Sequence, residues 1–482
     1  MSNLLNSYNT ASSQQHFTAN GAVTHGSSLD ACVDLFFLAG ASRGKDITSA
    51  FASALSADKD LTGRLLLWMR DVLQGAGERD QFRKLFQYLI YHDFKTAQRI
   101  LKKIPVDGIG RWDDVLVAIG TPLQDEAVSL IVEALRAGDA LCAKWMPRRQ
   151  KGKDANNMLV AVLSKALHPD VRPYDKQEKM YRKTVSSLSK TVEQQMCAKQ
   201  WSDINFNHVP SKAAQIYRKA FARHDESRYQ EYLDSLTKED GTAKVNAKAS
   251  YPHEVVMMAL KGQEQLAEAQ WKALPNFMED NEEGILPVVD VSASMTWSPV
   301  AGSSTVYPIH VARALGLYLS EKNKGPFQNE IMSFSDRPKL YSVVGSLRSR
   351  FDHMNRMDVS GSTNIVAAFE LILDLAVKHN LPQSDVPSTL LILSDMEFNS
   401  SGRQTAYETV KAKFEVAGYK LPKVVFWNLN GRMNNNPVQA HQSGAALVSG
   451  FSPSIMSAVL GCENMSPRNV MLDKLLSTRY DF

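Results

Sequence analysis

Apolar residues recur at helical spacing through the first part of the chain, from about Ser28 to Ala273. Five segments place these residues three and four positions apart, which is the pattern of amphipathic helices. The segments are LDACVDLFFLAG, ITSAFASALS, LTGRLLLWMRDVL, RDQFRKLFQYLIYH and EAVSLIVEALRAG. Short helices joined by brief turns predict stacked helix pairs, so we expect an all-α helical-repeat domain over residues 28–273.

The pattern changes after residue 284, where strand-like and helix-like segments alternate. The predicted strands are ILPVVD, EIMSF, KLYSVV, STLLILSD, PKVVFWNL and AALVSG. Alternation of this kind predicts an α/β domain over residues 285–482 with a parallel, doubly wound sheet that binds ligands at the carboxyl ends of its strands. Residues 274–284 hold a proline and an acidic run and are predicted to be a linker. The polar residues 1–27 are predicted to be a flexible arm.

Composition narrows the class of protein. The chain has 482 residues, of which 44% are hydrophobic and 22% charged, as is usual for soluble globular proteins. Its four cysteines lie far apart, which argues against a structural zinc site and against a secreted disulfide framework. The chain begins without a basic, apolar leader and contains no run of about 18 apolar residues. We therefore expect a cytoplasmic protein with no membrane partner.

The net charge of +4 hides a local excess of positive charge. Residues 144–228 hold 18 basic and 8 acidic side chains, whereas residues 281–482 hold 18 of each. A long basic stretch is typical of proteins that bind a phosphate backbone, so RNA is a candidate partner. The alternative is a solvated helical surface whose acidic neighbours lie close in space.

Several basic residues of this stretch are interleaved with aromatic residues, as in proteins that bind single-stranded RNA. The candidate RNA-binding residues are Lys144, Arg148, Arg149, Lys151, Arg182, Lys183, Lys212, Arg218 and Lys219. For the aromatic residues Trp145, Tyr217 and Phe221, helical spacing favours a place in the core over base stacking.

Oxygen-bearing side chains follow the predicted strand ILPVVD. Asp290, Ser292 and Ser294 form a DxSxS pattern, Thr363 precedes a predicted helix, and Asp395 ends the predicted strand STLLILSD. Three hydroxyls and two carboxylates from three loops make an all-oxygen donor set that suits Mg²⁺, or Mn²⁺ in its place. The alternative is that these Ser and Asp residues only cap loops.

The five donors resemble the metal-ion-dependent adhesion site of von Willebrand factor A domains, and all five positions match. The resemblance implies that Ser292, Ser294 and Thr363 bind the ion directly, while Asp290 and Asp395 act mostly through water. It also implies a binding module without a catalytic role, in which a protein partner can supply an acidic group to the ion.

The helical part followed by DVSASM resembles the Ro/TROVE family of RNA-binding proteins, and most closely its uncharacterised viral, fungal and plant relatives. The matching segments include GAGERDQFR (75–83), RWDDVL (111–116), KWMPRRQ (144–150) and MYRKTVSSLSKTVEQQM (180–196). The resemblance implies HEAT-like repeats that form a ring, followed by a Rossmann-like A domain. It also implies that the ring holds single-stranded ends of noncoding RNA, as part of a ribonucleoprotein.

Catalytic motifs do not support an enzyme, since the chain lacks GxSxG, HExxH and a P-loop. Two hypotheses therefore remain. The first is an RNA-binding scaffold that also carries a metal site. The second is a protein-interaction or assembly module, such as a viral structural or accessory component, that acts through the metal site without RNA. Convergence of the basic side chains on one groove would favour the first.

Overall fold

The computed structural model describes the chain from Gln15 to Phe482, apart from short gaps. The residues outside the described part are 1–14, 190, 239–240, 280, 282, 301–302, 336, 358–362, 400–404 and 432–434. Two of these, residues 280 and 282, belong to the predicted linker. No helix in the described part has the length and apolar character needed to cross a membrane.

The N-terminal segment differs from its prediction, because residues 15–25 form a hairpin where a flexible arm was expected. Strands β1 (Gln15–Phe17) and β2 (Val23–His25) pair antiparallel. Between them, Thr18 donates its hydroxyl hydrogen to the carbonyl oxygen of Phe398 at 2.6 Å. That partner lies 380 residues further along the chain. The polar composition of the segment gives no sign of such a distant partner. The first 14 residues of the predicted arm lie outside the described residues.

Helices occupy most of the first part of the chain and alternate with strands in the second. In order they are α1 (Ala31–Ala39), α2 (Thr48–Ala57), α3 (Lys59–Arg70), α4 (Arg79–His92), α5 (Phe94–Lys103), α6 (Trp112–Val115), α7 (Gln124–Arg136), α8 (Ala140–Trp145), α9 (Asp154–Leu167), α10 (Tyr174–Leu188), α11 (Val192–Cys197), α12 (Ser211–His224), α13 (Glu226–Thr237), α14 (Pro252–Leu260), α15 (Glu264–Lys272), α16 (Ser294–Trp297), α17 (Pro308–Lys322), α18 (Leu347–Asn355), α19 (Ile365–Lys378), α20 (Ala406–Ala417), α21 (Met456–Gly461) and α22 (Pro467–Leu475). All five helices predicted for the first part are present. Helix α18 was not predicted.

A six-stranded sheet forms the centre of the C-terminal part. Its strands are β3 (Ile285–Asp290), β4 (Glu330–Phe334), β5 (Lys339–Ser342), β6 (Thr389–Ser394), β7 (Lys423–Asn428) and β8 (Ala445–Ser449). They lie in the order β5-β4-β3-β6-β7-β8, with β5 antiparallel to β4 and all other neighbours parallel. This is the strand order of a doubly wound sheet, and the six predicted strands agree with it to within two residues at each end.

The described residues pack into two compact units. The first contains the described residues up to Thr62, Gln74–Glu78 and Ala247–Ser477. The second contains Gly63–Leu73, Arg79–Asn246 and Thr478–Phe482. The predicted domains, 28–273 and 285–482, follow a different division, because helices at both ends of the predicted helical domain pack with the sheet.

Helix α1 explains part of that difference. Seven of its nine residues are buried, so it is apolar around most of its circumference and needs a partner on more than one side. The sheet supplies one, since Ser449 of β8 donates its hydroxyl hydrogen to the carbonyl oxygen of Phe36 at 2.7 Å. On the other side of the first unit, Gly316 brings α17 close to β3. A Cβ atom at that position would lie 2.6 Å from Cγ2 of Val289.

The second unit is held together partly by buried ion pairs from the RWDDVL segment. Asp114 is fully buried and accepts hydrogen bonds from Arg70 Nε at 2.7 Å and Arg83 Nε at 2.6 Å. Further along, a separate apolar cluster forms around Phe206, Phe221 and Tyr229, and it gives residues 192–233 a small core of their own.

Candidate metal centre and basic cleft

The candidate metal ligands gather at the carboxyl edge of the sheet. Asp290 is the last residue of β3, and Asp395 directly follows β6. These strands are parallel neighbours with Val289 opposite Leu393, so both carboxylates leave the sheet at the same edge. Strand order reverses on the two sides of β3, which makes this edge the topological switch point where doubly wound folds bind ligands.

Hydrogen bonds connect three of the five candidates directly. Asp290 Oδ1 accepts from the backbone N–H of Ser292 at 2.8 Å, and the hydroxyls of Ser292 and Ser294 lie 3.0 Å apart. Asp290 Oδ2 accepts from the hydroxyl of Ser394 at 2.5 Å. The sequence prediction missed Ser394, although its place as the last residue of β6 is a signal that such a prediction can use.

Thr363 is the third hydroxyl candidate and lies on another loop, just before α19. Its carbonyl oxygen accepts from the backbone N–H of Asn399 at 2.8 Å, which ties it to the segment after Asp395. Its side-chain Oγ1 is buried and has no hydrogen-bond partner among the described residues. A buried hydroxyl in that state is costly, and a bound cation would relieve the cost. The donor set therefore fits an ion.

The electrostatics of the site also favour a cation, because two buried carboxylates lie near each other. Burial, and after it the negative charge of Asp395, raise the pKa of Asp290 to about 7. Hydrogen bonds from Ser394 and Ser292 act in the opposite direction. Within the described residues no group of three or more His, Cys, Asp or Glu side chains could hold a metal ion. The mixed hydroxyl and carboxylate set is thus the candidate that the described chain offers, and hard oxygen donors suit Mg²⁺.

Four of the nine candidate RNA-binding residues converge in the second unit. Arg148, Arg149, Lys151 and Arg182 line a cleft of about 730 Å³. One wall is the loop between α8 and α9, and the other is α10. All four side chains belong to exposed residues, and Arg148 Nη2 also donates to Ser189 Oγ at 3.0 Å.

The loop that carries three of these cations is fixed from both sides. Tyr181 of α10 donates its hydroxyl hydrogen to the carbonyl oxygen of Pro147 at 3.0 Å. Asn157 of α9 accepts from the backbone N–H of Gln150 at 3.0 Å and donates to its carbonyl oxygen at 2.9 Å. Because these hydrogen bonds hold the backbone, the loop that carries the cationic side chains has little conformational freedom.

A single carboxylate lies among the residues that line the cleft. Glu178 of α10 pairs with Arg149, with Oε2 2.6 Å from Nη1. Hydrogen bonding and the charge of Glu178 raise the pKa of Arg149. The cleft lining therefore keeps an excess of positive charge although one arginine is already engaged.

The other five candidates do not line this cleft. Lys144 lies 5.5 Å from the centre of the Trp145 ring, and Arg111 stacks on that ring at 3.8 Å. The rest lie on α10 and α12, namely Lys183, Lys212, Arg218 and Lys219. Phe221 is buried, as the core interpretation of the aromatic residues predicted, whereas Trp145 and Tyr217 are half-buried.

Comparisons with known proteins agree with this architecture. Residues 18–115 and 132–283, just over half of the chain, match a family described as "Domain of unknown function (DUF2828)". Residues 285–476 match a second, described as "Domain of unknown function (DUF7788)". The uncharacterized protein L728 of Acanthamoeba polyphaga mimivirus is 29% identical over 511 residues, which cover 95% of this chain and 87% of that protein.

A solved structure has a similar fold. The Ro (RSR) protein of Deinococcus radiodurans matches with a TM-score of 0.50 and 15% identity, over 93% of this chain and 100% of its own. Identity at that level shows the fold alone. The chain thus has a helical part and a mixed, mainly parallel sheet part of the Ro type.

Proposed function

The chain belongs to the family described as Domain of unknown function (DUF2828), and from that premise we propose that it is an RNA-binding scaffold of the Ro type. The observation that carries the proposal is the cleft lined by Arg148, Arg149, Lys151 and Arg182. The Ro-like fold and the sequence resemblance to Ro/TROVE proteins support it. Ring formation by the helical repeats remains a prediction within the proposal.

The chemistry of the cleft favours recognition of phosphates over recognition of bases. Guanidinium groups bind phosphate oxygens through paired N–H donors and remain charged when partly buried. The aromatic residue in the lining, Tyr181, is 1% exposed and uses its hydroxyl on Pro147, so its ring offers no stacking platform. We therefore expect binding to single-stranded RNA with little sequence preference, because phosphate contacts carry no sequence information.

A divalent cation is the second part of the proposal. Ser292, Ser294 and Thr363 would hold Mg²⁺ or Mn²⁺ directly, with Asp290 and Asp395 acting through water, as in von Willebrand factor A domains. The partnerless hydroxyl of Thr363 and the two buried carboxylates support this assignment. The bound ion would act as an electrophile for an acidic group of a partner, and we assign the protein no catalytic step.

Filter binding with single-stranded and duplex RNA at several salt concentrations tests the proposed function. We expect the double variant Arg148→Glu/Arg149→Glu to weaken binding to all sequences, and log affinity of the wild type to fall linearly with log salt. Each phosphate contact adds about −0.7 to that slope for single strands. Lys95→Glu/Lys102→Glu is the matched control, since it reverses two exposed charges of α5 in the same unit, away from the cleft.

Wild-type affinity no better than about 10⁻⁴ M for both RNAs would reject the RNA proposal, because it is the weak end of non-specific binding. The protein-interaction module would then lead. One observation favours that second function: Trp297, three residues after Ser294 on α16, is 67% exposed. Exposed tryptophan beside a metal site is suited to anchor a protein partner.

A further inference from the structure

The N-terminal hairpin is hydrogen-bonded to the loop that follows Asp395. The backbone N–H of Ala19 donates to Glu397 Oε2 at 2.6 Å, and the amide of Asn20 donates to the Glu397 carbonyl oxygen at 2.7 Å. Thr18 holds the next residue, Phe398, through its carbonyl oxygen. Three consecutive residues of the hairpin thus bind two consecutive residues of the loop.

The loop that the hairpin contacts has a strained backbone at Met396. Met396 has a φ of 65°, in the left-handed region that residues with a Cβ atom rarely adopt. Its N–H donates to Ser394 Oγ at 3.0 Å, and its carbonyl oxygen accepts from Asn435 Nδ2 at 2.9 Å. Such a conformation persists only where the surroundings hold it, and it often marks a functional site.

The same loop positions two of the candidate metal ligands. The backbone N–H of Glu397 donates to Asp395 Oδ1 at 3.3 Å, and the N–H of Asn399 donates to the carbonyl oxygen of Thr363 at 2.8 Å. Glu397 is 3% exposed, so its carboxylate is committed to partners inside the protein, the hairpin among them. The hairpin is therefore connected to Asp395 and Thr363 through a chain of hydrogen bonds.

We infer that the hairpin over residues 15–25 is a positioning element of the metal centre, with Glu397 as the positioning residue that couples the two. The inference rests on the proposed metal site. Docking of the hairpin holds the loop in the conformation that presents Asp395 and Thr363. By linkage, cation binding then stabilises the docked hairpin to the same extent.

Two measurements on the full chain test the coupling: Mn²⁺ affinity by calorimetry, and hydrogen exchange of residues 16–27 with and without Mn²⁺. We expect Mn²⁺ to slow exchange in the hairpin of the wild type. Glu397→Ala removes the carboxylate that accepts from Ala19 but keeps the backbone N–H that donates to Asp395. We therefore expect it to lower Mn²⁺ affinity on the order of tenfold by loosening the loop, and to weaken the Mn²⁺-dependent protection. Phe17→Ala is the control, because it removes a side chain of the same hairpin that is 68% exposed.

The possible outcomes test the hairpin coupling separately from the proposed metal site. Absence of Mn²⁺ binding by the wild type would overturn both. Mn²⁺ binding by the wild type, with unchanged hairpin exchange and full affinity in Glu397→Ala, would overturn the coupling alone. Should Glu397→Ala fail to fold, Asn20→Ala and Thr18→Val carry the same test from the hairpin side. Reduced affinity in both supports the coupling, and wild-type affinity in both refutes it.

Discussion

The two candidate sites of this molecule differ in how they are built. The candidate metal centre is buried, and its five candidate ligands come from strand ends and loops of the sheet domain. The basic cleft is open, and its four cations come from one loop and one helix, with the carboxylate of Glu178 among them. A buried site is constrained by topology, whereas an exposed cleft depends on which side chains of a basic stretch happen to converge.

This difference explains what the sequence could indicate. The DxSxS pattern, Thr363 and Asp395 could be proposed together from sequence, because alternation of strands and helices places successive strand ends at one edge. For the cleft, the local excess of positive charge identified the basic stretch, but it did not show which of its side chains lie close together. Nine cations were predicted to bind RNA, and four of them share the cleft.

The comparison predicts that the largest effect of a single substitution lies at the buried edge. Asp290→Asn keeps the shape of the side chain but removes the charge that orients the ligand shell. We expect Mn²⁺ binding to fall by at least 100-fold in calorimetry, the upper range for outer-sphere partners, because charge and orientation are lost together. RNA affinity should stay unchanged, and a parallel loss of RNA binding would contradict the separation of the two sites.

The stability of the cation-free protein should depend on pH through the same residue. Burial raises the pKa of Asp290 from its ordinary value of 3.8 to about 7. Between these values the folded chain retains a proton that the unfolded chain releases, so stability falls as pH rises from about 4 to 7. In chelator, Asp290→Asn should be more stable than wild type at pH 8, and the difference should shrink as the pH falls towards 4. Denaturant unfolding at the two pH values measures this, and equal curves at pH 8 would refute it.

Several parts of the fold were beyond prediction from sequence for a physical reason. Helix α1 was predicted correctly, but its packing on β8 was not, because amphipathic pattern indicates a helix without naming its partner. The hairpin over residues 15–25 was mistaken for a flexible arm, since its order comes from bonds to residues such as Phe398 and Glu397. Glu397 carried no local signal at all.

A smaller effect on RNA affinity is expected at the exposed cleft, where Glu178 forms an ion pair with Arg149. An exposed ion pair is weak, so Glu178→Gln should raise RNA affinity by only about two- to fivefold. Glu231→Gln removes the same charge from an exposed position of α13 and should leave RNA affinity unchanged. Filter binding at low salt compares the two, and equal gains in both variants would mean that only the net charge of the unit matters.

The smallest effect on RNA affinity should come from the hydrogen bonds that hold the cleft loop in place. Asn157→Ala removes two hydrogen bonds to the backbone of Gln150 and frees the loop that carries Arg148, Arg149 and Lys151. We expect RNA affinity to fall by about two- to threefold, because ordering the loop again costs entropy on binding. Hydrogen exchange of residues 147–152 should rise in the free variant. Unchanged exchange there would show that other contacts hold the loop.

The most direct test of the central claim is the footprint of single-stranded RNA on the protein, measured by hydrogen exchange. The account predicts protection of residues 147–152 and of α10 around Glu178 and Arg182, with α12 unaffected. Protection confined to α12, or to the metal edge of the sheet, would contradict it.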